Sequence, residues 1–330
     1  MASYLMGLQS GLAESLAASE KVLVLGEDLV DPYGGAFKVT KGLSTRFPGR
    51  VFNTPICEGG FTGVAVGMAL RGYRPVVEIM FGDFLTLCTD QIVNHMAKFP
   101  SMFNGQVKVP LVIRTPMGGG RGYGATHSQS LEKMFLGLPG IKVVAPSHVH
   151  TVSEILQHAI LVDDDPVLFI ENKVLYPLDQ PDSVYMEQSD EIPGYPTVAF
   201  RNFSSGKPDV TVFAYGGMSR EIVPLLEKLH NDELNVTAVF PSCLWPIPEE
   251  TLVRYGAQCD RLLICEEGSV GFNWGSEISA LLYDKLWRNL NAPIARLAAS
   301  SQVIPAARHL EAEVLVNTEK IEKAIWELMS

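Results

Sequence analysis

Cysteine is scarce in this sequence, and the few cysteines form no recognisable motif. The 330 residues contain five, with no Cys-x-x-Cys pair among them: Cys57, Cys88, Cys243, Cys259 and Cys265. Disulfide frameworks and structural zinc sites need an even or clustered set of thiols. The sequence therefore predicts reduced cysteines, most of them packed as small apolar side chains.

Basic residues and long apolar runs are also lacking. Lysine and arginine number 26 against 37 aspartates and glutamates, which gives a formal net charge of -11. Nucleic-acid binding needs clustered basic side chains, so that class of partner is excluded. No apolar run reaches the roughly 18 residues that cross a bilayer, and residues 1–18 lack the basic start of a signal peptide. We expect a cytoplasmic protein without a membrane segment.

Hydrophobic residues, in contrast, make up 47% of the chain and follow an alternation of strands and helices. In the first part of the chain, apolar runs predict buried strands at residues 22–26, 76–81, 111–114, 143–145 and 167–170. Helical patterns occupy the intervals at residues 63–70, 85–98 and 149–161. Nearly continuous apolar strands separated by helices indicate a parallel sheet that is covered on both faces.

A change of composition divides the chain. Residues 186–208 contain three prolines and no sustained period, which is typical of a linker. The alternation then restarts, with strands at 210–214, 236–240 and 262–266 and helices at 219–230, 248–255, 276–286 and 319–329. The sequence therefore predicts an α/β fold with two domains, residues 1–185 and a smaller domain at 209–330.

One helix begins with an unusual combination of a carboxylate and glycines. Glu58 precedes a helical pattern that contains Gly59, Gly60, Gly63 and Gly67. Glycine costs a helix about 1 kcal/mol relative to alanine, so four of them need a reason. A carboxylate at a helix N-terminus is stabilised by the helix dipole. Glu58 is thus either a structural residue at a tightly packed helix or a functional one, and the spacing alone leaves both open.

A second unusual segment, residues 115–130, follows a predicted strand. Five of the seven residues at 118–124 are glycine, and His127 and Ser128 lie at the end of this loop. No Gly-Lys-Ser/Thr follows, so the segment is not a P-loop, and no helix starts at the glycines as in a dinucleotide fingerprint. Open α/β sheets bind ligands at this end of their strands. His127 is therefore a candidate acid, base or hydrogen-bond donor, and a flexible surface loop is the alternative.

The strand at 76–81 runs into a turn that carries two aromatic residues. Core packing accounts for Phe81, whereas Phe84 lies beyond the turn and is able to stack on a planar ligand.

Together these segments resemble the β subunits of thiamine-diphosphate-dependent 2-oxoacid dehydrogenases of the pyruvate, branched-chain and acetoin types. The matching motifs occur in the expected order at residues 26–28, 33–37, 54–58, 74–79, 90–94, 127–130, 139–144 and 165–167. Each motif is short, but the ordered series is specific. The resemblance implies a parallel-sheet pyrimidine-binding domain followed by a smaller α/β C-terminal domain of the transketolase type.

The resemblance also assigns residues to the cofactor. It makes Glu58 the carboxylate that hydrogen-bonds the aminopyrimidine ring of thiamine diphosphate and so promotes removal of the thiazolium C2 proton. Ile56, Met80 and Phe84 match residues that line the pyrimidine pocket, with Phe84 as the stacking aromatic. His127 matches a histidine that faces the substrate and the reaction intermediate.

In such enzymes the cofactor site is divided between two chains. This chain has no Gly-Asp-Gly motif, which in the family belongs to the α subunit and holds the magnesium and the diphosphate. The resemblance therefore implies an α subunit as partner, in an α2β2 heterotetramer. It also implies a structural potassium ion held near residues of two segments: Leu111, Val112, Ile160, Asp163 and Asp165.

Two departures from the family bear on the acyl acceptor. Met80 stands where many members have glutamine, and residues 303–307 lack the usual Pro-Tyr, although Leu310 and Glu311 remain. In the family this C-terminal region helps to dock a lipoyl acyltransferase. The leading hypothesis is a β subunit that decarboxylates a 2-oxoacid and passes the acyl unit to a lipoyl group. A transketolase-like carboligase is the alternative, and a non-catalytic assembly subunit is a third.

Overall fold

The computed structural model describes residues 3–181 and 185–330, and residues 1, 2 and 182–184 of the expected first domain lie outside it. The first part contains six strands: β1 Val22–Gly26, β2 Val51–Asn53, β3 Arg74–Glu78, β4 Val112–Met117, β5 Lys142–Val144 and β6 Val167–Asn172. Its α-helices are α1 Tyr4–Ala18, α2 Leu43–Arg46, α3 Glu58–Leu70, α4 Phe99–Met102 and α5 Val152–Leu161. Short helices of other types cover Gly82–Cys88, Gln91–Met96 and Glu132–Met134.

The second part contains seven strands: β7 Met186–Ser189, β8 Thr197–Arg201, β9 Val210–Ala214, β10 Val236–Pro241, β11 Cys243–Trp245, β12 Leu262–Ser269 and β13 Ala295–Ala299. Its helices are α6 Met218–Asn231, α7 Glu249–Gly256, α8 Trp274–Leu286, α9 Arg308–Val314 and α10 Thr318–Met329. None of the helices within residues 3–181 and 185–330 is long and apolar enough to cross a membrane.

The strands form two sheets, and most of their pairs are parallel. The first sheet has the order β11-β5-β6-β4-β3-β1-β2, and the second has the order β13-β12-β9-β10-β8-β7. The expected α/β fold of two domains, each built on a mainly parallel sheet, is confirmed. β11 leaves the second part of the chain and pairs antiparallel with β5 at the edge of the first sheet. The two domains therefore share a strand pairing as well as a side-chain interface.

Strands occupy much of the segment whose composition indicates a linker. β7 and β8 pair antiparallel with each other, and β8 pairs antiparallel with β10, which extends the second sheet. The core-facing residues of this extension are few, since Val198, Ala199 and Phe200 are buried whereas β7 is largely exposed. Two short strands at a sheet edge have little hydrophobic period, which explains why sequence periodicity predicts a linker at 186–208.

The helical pattern at residues 85–98 corresponds to two irregular helices. The first, Gly82–Cys88, is a 3-10 helix, and the second, Gln91–Met96, is a π-helix. Two threonine hydroxyls donate to backbone carbonyl oxygens of the first helix, Thr86 to Asp83 at 3.0 Å and Thr89 to Leu85 at 2.9 Å. Such side-chain bonds compete with the regular helix ladder. The apolar period correctly predicts the buried face but not the helix type.

Candidate active site

The carboxyl ends of parallel strands meet at one edge of the first sheet, where open α/β folds bind ligands. Five side chains discussed below lie in the segments that follow those strand ends: Glu27 after β1, Glu58 after β2, Phe84 after β3, His127 after β4 and Lys173 after β6. Segments far apart in sequence are therefore gathered into one site by the topology of the sheet.

Glu58 is the first residue of α3, and its side chain is buried, with 6% of its surface exposed. A second buried carboxyl group, that of Glu27, lies close enough for the two to interact: burial raises the pKa of Glu27, and the charge of Glu58 raises it further. One oxygen of Glu27, Oε1, is buried without a hydrogen-bond partner. Two buried carboxyl groups that repel each other favour a shared or retained proton.

The turn after Glu58 packs tightly against the 3-10 helix that carries Phe84. A Cβ atom at Gly59 would lie only 3.0 Å from the carbonyl oxygen of Leu87. Cys88, at the end of this helix, has a pKa of about 12, raised mainly by burial and also by the charge of Glu58. The glycine at position 59 thus permits the close approach that brings the carboxylate and the aromatic turn into one wall.

An aromatic cluster surrounds His127. Its ring lies edge-on to two phenylalanine rings, with centroids 4.6 Å from Phe81 and 5.3 Å from Phe84. The Thr126 hydroxyl is 3.0 Å from His127 Nδ1, which leaves Nε2 as the nitrogen able to address a bound molecule. Tyr123 extends the cluster, with its ring centroid 6.1 Å from that of Phe81. The structure therefore brings together Phe84 and His127, which are 43 positions apart.

Lys173 fixes the backbone at this histidine. Its Nζ donates to the carbonyl oxygen of His127 at 2.6 Å and lies 5.3 Å from the centroid of the Phe81 ring. Burial lowers the pKa of Lys173 to about 8, although the charge of Asp83 opposes this shift. Asp83 in turn accepts hydrogen bonds from the backbone and side-chain nitrogens of Gln129, at 3.3 and 2.8 Å. The chain at His127 and Gln129 is therefore tied to Lys173 and Asp83 of the first domain.

The glycine-rich segment has its backbone N–H groups occupied by protein carboxylates. Gly120 N and Gly122 N each donate to the Glu311 carboxylate at 2.9 Å, and Gly119 N donates to Glu267. Both glutamates belong to the second domain, to α9 and β12 respectively. The five glycines thus allow the backbone of this segment to approach the second domain closely, and carboxylates of that domain accept its hydrogen bonds.

Two residues expected in the pyrimidine pocket are less enclosed. The side chain of Ile56, between β2 and α3, has 83% of its surface exposed, and Met80, just after β3, is half-buried. Both lie at the same sheet edge as Glu58. Their contact with a cofactor stays a prediction, and an exposed isoleucine at this edge is able to contact a partner chain.

The residues expected to hold potassium lie where β4 begins and in the turn after α5: Leu111, Val112, Ile160, Asp163 and Asp165. Two protein cations occupy this region. The Arg74 guanidinium donates to the carbonyl oxygens of Ile160 and Asp163 at 3.0 and 2.8 Å, and Lys142 Nζ lies 2.7 Å from Asp163 Oδ1. Within the described part of the chain, no group of three or more His, Cys, Asp or Glu side chains is arranged to hold a metal. Potassium stays a prediction.

Four residues of the site were not singled out as functional from the sequence: Glu27, Lys173, Glu267 and Glu311. Lys173 has a usable signal, because it directly follows a buried apolar strand at the ligand-binding edge. Glu267 and Glu311 have none, since their partners lie 148 and more than 180 positions away. Only the three-dimensional structure reveals those two contacts.

Comparison with known families matches both domains of the chain. Residues 1–179 match the transketolase pyrimidine binding domain, and residues 202–321 match the transketolase C-terminal domain. Over 96% of its length the chain is 36% identical to the pyruvate dehydrogenase E1 component subunit beta-1, mitochondrial, of Arabidopsis thaliana, 86% of which is covered. The chain belongs to the family of thiamine-diphosphate 2-oxoacid dehydrogenase E1 β subunits.

Other members of this E1 β family are named for different substrates. The chain is 33% identical, over 96% of its length and 93% of the relative, to the acetoin:2,6-dichlorophenolindophenol oxidoreductase subunit beta of Bacillus subtilis. It is 32% identical, over 99% of its length and 98% of the relative, to the 2-oxoisovalerate dehydrogenase subunit beta of the same organism. These names favour the leading hypothesis over the carboligase and the non-catalytic subunit, and they do not select one substrate.

Solved structures with the same fold are transketolases. A split-gene transketolase, described as an inactive beta4 tetramer, superimposes with a TM-score of 0.73, 21% identity and 98% coverage of both chains. The transketolase of Campylobacter jejuni gives a TM-score of 0.67 and 15% identity, covering 97% of this E1 β chain and 46% of that chain. At such identities the likeness shows the fold alone.

Proposed function

We propose that this chain forms the pyrimidine-binding wall of a thiamine-diphosphate site and decarboxylates a 2-oxoacid together with an α subunit. The observation that carries the proposal is the buried Glu58 carboxylate at the start of α3, beside the carboxyl group of Glu27. Two close buried carboxyl groups hold a proton where the aminopyrimidine nitrogen of the cofactor would lie. The residues therefore fit the expected cofactor.

When bound, thiamine diphosphate would supply the nucleophilic and electron-accepting chemistry that the loss of carbon dioxide from a 2-oxoacid requires. Glu58 would hold the proton at the pyrimidine ring. Burial and the charge of Glu58 raise the pKa of the neighbouring Glu27 carboxyl group, which favours a proton on Glu27 beside Glu58. Phe84 would pack against the cofactor ring from the 3-10 helix, whose position is fixed by its close contact with α3 at Gly59.

His127 would address the substrate. Its Nδ1 is engaged with the Thr126 hydroxyl at 3.0 Å, so Nε2 is the atom that would donate to, or accept from, the keto oxygen or carboxylate of the 2-oxoacid. The edge-on rings of Phe81 and Phe84 hold the imidazole in place and shield one side from water. Such preorganisation of a hydrogen-bonding group is a large part of enzymatic rate enhancement.

A partner would complete the site. Three apolar side chains near the start of α3 are exposed to solvent, namely Ile56, Val64 and Leu87, and a rim of this kind marks a surface for another protein. We propose that an α subunit covers it, contributes the magnesium and diphosphate ligands, and forms an α2β2 heterotetramer with this chain. Relatives named as pyruvate and 2-oxoisovalerate dehydrogenase subunits favour a lipoyl group as acceptor, which would bring a lipoyl acyltransferase as a further partner.

The decisive experiment replaces Glu58 in the complex with the α subunit. Glu58→Gln and Glu58→Ala should lower the rate of 2-oxoacid decarboxylation by about 100-fold or more, the range for loss of a group that acts on a proton. Glu319→Gln is the matched control, because Glu319 also lies in the first turn of a helix, α10, and is exposed. Unchanged decarboxylation in the Glu58 variants would rule out the proposal.

A further inference from the structure

The glycine-rich segment of the first domain adopts an anion-binding backbone conformation. Its φ angle is positive at every second residue, with 90° at Gly118, 81° at Gly120, 73° at Gly122 and 78° at Gly124. Only glycine takes such angles readily. Alternation of left-handed and ordinary residues turns successive N–H groups to one side, which makes a concavity for a negative group. The backbone at 118–124 is therefore built to receive an anion.

The anion that it receives belongs to the second domain of the same chain. Glu311 is buried, with 2% of its surface exposed, and its Oε1 and Oε2 accept hydrogen bonds from Gly120 N and Gly122 N, both at 2.9 Å. Hydrogen bonds to an ionised carboxylate are about twice as strong as those between neutral groups. A phosphate or another ligand would have to displace this carboxylate, so the segment is a contact between domains.

Contacts along the segment connect the Glu311 carboxylate to His127. Residue 306, close to the start of α9, lies against the segment: a Cβ at Gly122 would be 3.0 Å from the Ala306 carbonyl oxygen, and one at Gly124 would be 3.3 Å from Ala306 Cβ. His127 N then donates to the carbonyl oxygen of Gly124 at 3.3 Å. The backbone is thus held continuously from the Glu311 contact to the histidine.

We propose that Glu311 is a positioning residue: from the second domain, it holds the 118–124 segment in the conformation that presents His127 to the substrate. This inference rests on the proposed function, which gives His127 its place beside the substrate. Lys173 holds the same histidine from the first domain through its carbonyl oxygen at 2.6 Å. The backbone that carries His127 is therefore held by a carboxylate of one domain and an ammonium of the other.

Glu311→Gln is the informative substitution, because it keeps the volume and removes one acceptor. A glutamine amide presents an oxygen to one glycine N–H and an NH2 group to the other, so two donors face each other at one of the two contacts. We expect kcat for decarboxylation of pyruvate or 2-oxoisovalerate, in complex with the α subunit, to fall about tenfold, equivalent to about 1.4 kcal/mol. The thiamine-diphosphate concentration for half-maximal activity should not change, since Glu58 lies on α3.

A double-mutant cycle with His127→Ala separates positioning from general stabilisation. If Glu311 acts through His127, Glu311→Gln should lower kcat by less than about twofold once His127 has been replaced. An equal tenfold loss in both backgrounds would overturn the proposal. Glu313→Gln is the control, because Glu313 is an exposed residue of the same helix, and it should leave kcat unchanged.

Hydrogen exchange of the wild-type and Glu311→Gln assemblies tests the contact without relying on activity. The amides of residues 118–130 should exchange faster in the variant, and unchanged exchange would overturn the proposal. If the wild-type assembly decarboxylates neither substrate, the proposed function fails by itself. Faster exchange would then still support the role of Glu311 in holding the segment, and unchanged exchange would refute it.

Discussion

The carboxyl group of Glu266 should make the stability of this protein depend on pH. Glu266 lies in β12, and only 3% of its surface is exposed. Its Oε1 accepts a hydrogen bond from Gly275 N at 2.9 Å, whereas Oε2 is buried without a partner. Burial, and after it the nearby carboxyl group of Glu132, raise the pKa of Glu266 from 4.5 to about 8. At neutral pH the folded protein therefore carries a protonated Glu266.

The direction of the effect follows from proton binding. The unfolded chain releases the Glu266 proton near pH 4.5 and the folded chain near pH 8, so the folded state holds an extra proton between these values. The contribution of Glu266 to the free energy of unfolding should then be fully present below pH 4.5 and be lost as the pH rises through 8. Each tenfold change in the ionisation equilibrium is worth about 1.4 kcal/mol, which makes the total loss of this contribution about 5 kcal/mol.

Glu266→Gln tests this reasoning, because the amide keeps an acceptor for Gly275 N and cannot ionise. Urea unfolding followed by circular dichroism should give similar stabilities for variant and wild type near pH 5, where wild-type Glu266 is neutral in the folded state. Near pH 8.5 the variant should be more stable by on the order of 3 kcal/mol. Glu277→Gln, at an exposed site on α8, is the control. Parallel pH profiles of Glu266→Gln and wild type would refute the assignment.

Two further substitutions test the packing of the first domain, both by urea unfolding. Glu78→Ala should cost about 3 kcal/mol, because it removes a carboxylate hydrogen-bonded to the fully buried Arg114; a loss no larger than that of a surface glutamate would contradict the buried ion pair. Gly140→Ala should cost about 3 kcal/mol or more, since φ is 87° and the new Cβ would lie 2.1 Å from the Ala97 carbonyl oxygen. Gly137→Ala, at φ 75° with no neighbour within 4 Å, should cost only about 1 kcal/mol. Equal losses of stability in the two glycine variants would contradict the clash of a Cβ at residue 140 with the Ala97 carbonyl oxygen.

Strands that are buried on both faces could be predicted well from the sequence. Residues 22–26 and 210–214 read as uninterrupted apolar runs, and they coincide with β1 and β9. Both strands lie inside parallel sheets, and all their residues are buried except the half-buried Leu23, so the hydrophobic run is continuous. A strand whose residues are nearly all buried can therefore be recognised from an uninterrupted apolar run in the sequence.

Elements that depend on a neighbour leave a weaker signal. β7 has no buried residue among its four and is held by pairing with β8, so its pattern of residues says little about its conformation. The helices at Gly82–Cys88 and Gln91–Met96 bury the periodic residues Leu85, Cys88 and Ile92. In the first of these helices, threonine hydroxyls bond to backbone carbonyl oxygens, and an apolar period does not encode such contacts.

The residues of the candidate site also differ in how well the sequence predicts them. Glu58, Phe84 and His127 could be recognised from the resemblance to the family, and the parallel topology brings the segments that carry them to one edge of the sheet. Met80 and Ile56 share that edge, yet Met80 is only half-buried and Ile56 is exposed, so their contact with a cofactor stays a prediction. The carboxylates that hold the glycine segment come from β12 and α9, so no local pattern could have indicated them.

The interdomain contact also changes how the C-terminal departures are understood. Leu310 and Glu311 are retained although residues 303–307 differ from the family pattern. Glu311 is buried against the glycine segment, whereas Val303 has 77% of its side chain exposed. Ala306 lies close to Gly122 and Gly124, where a larger side chain would press on the His127 segment. The contact of Glu311 with the glycine segment is thus a reason for this residue to be kept, whereas the altered residues lie partly at the surface, as at Val303, and partly against that segment, as at Ala306.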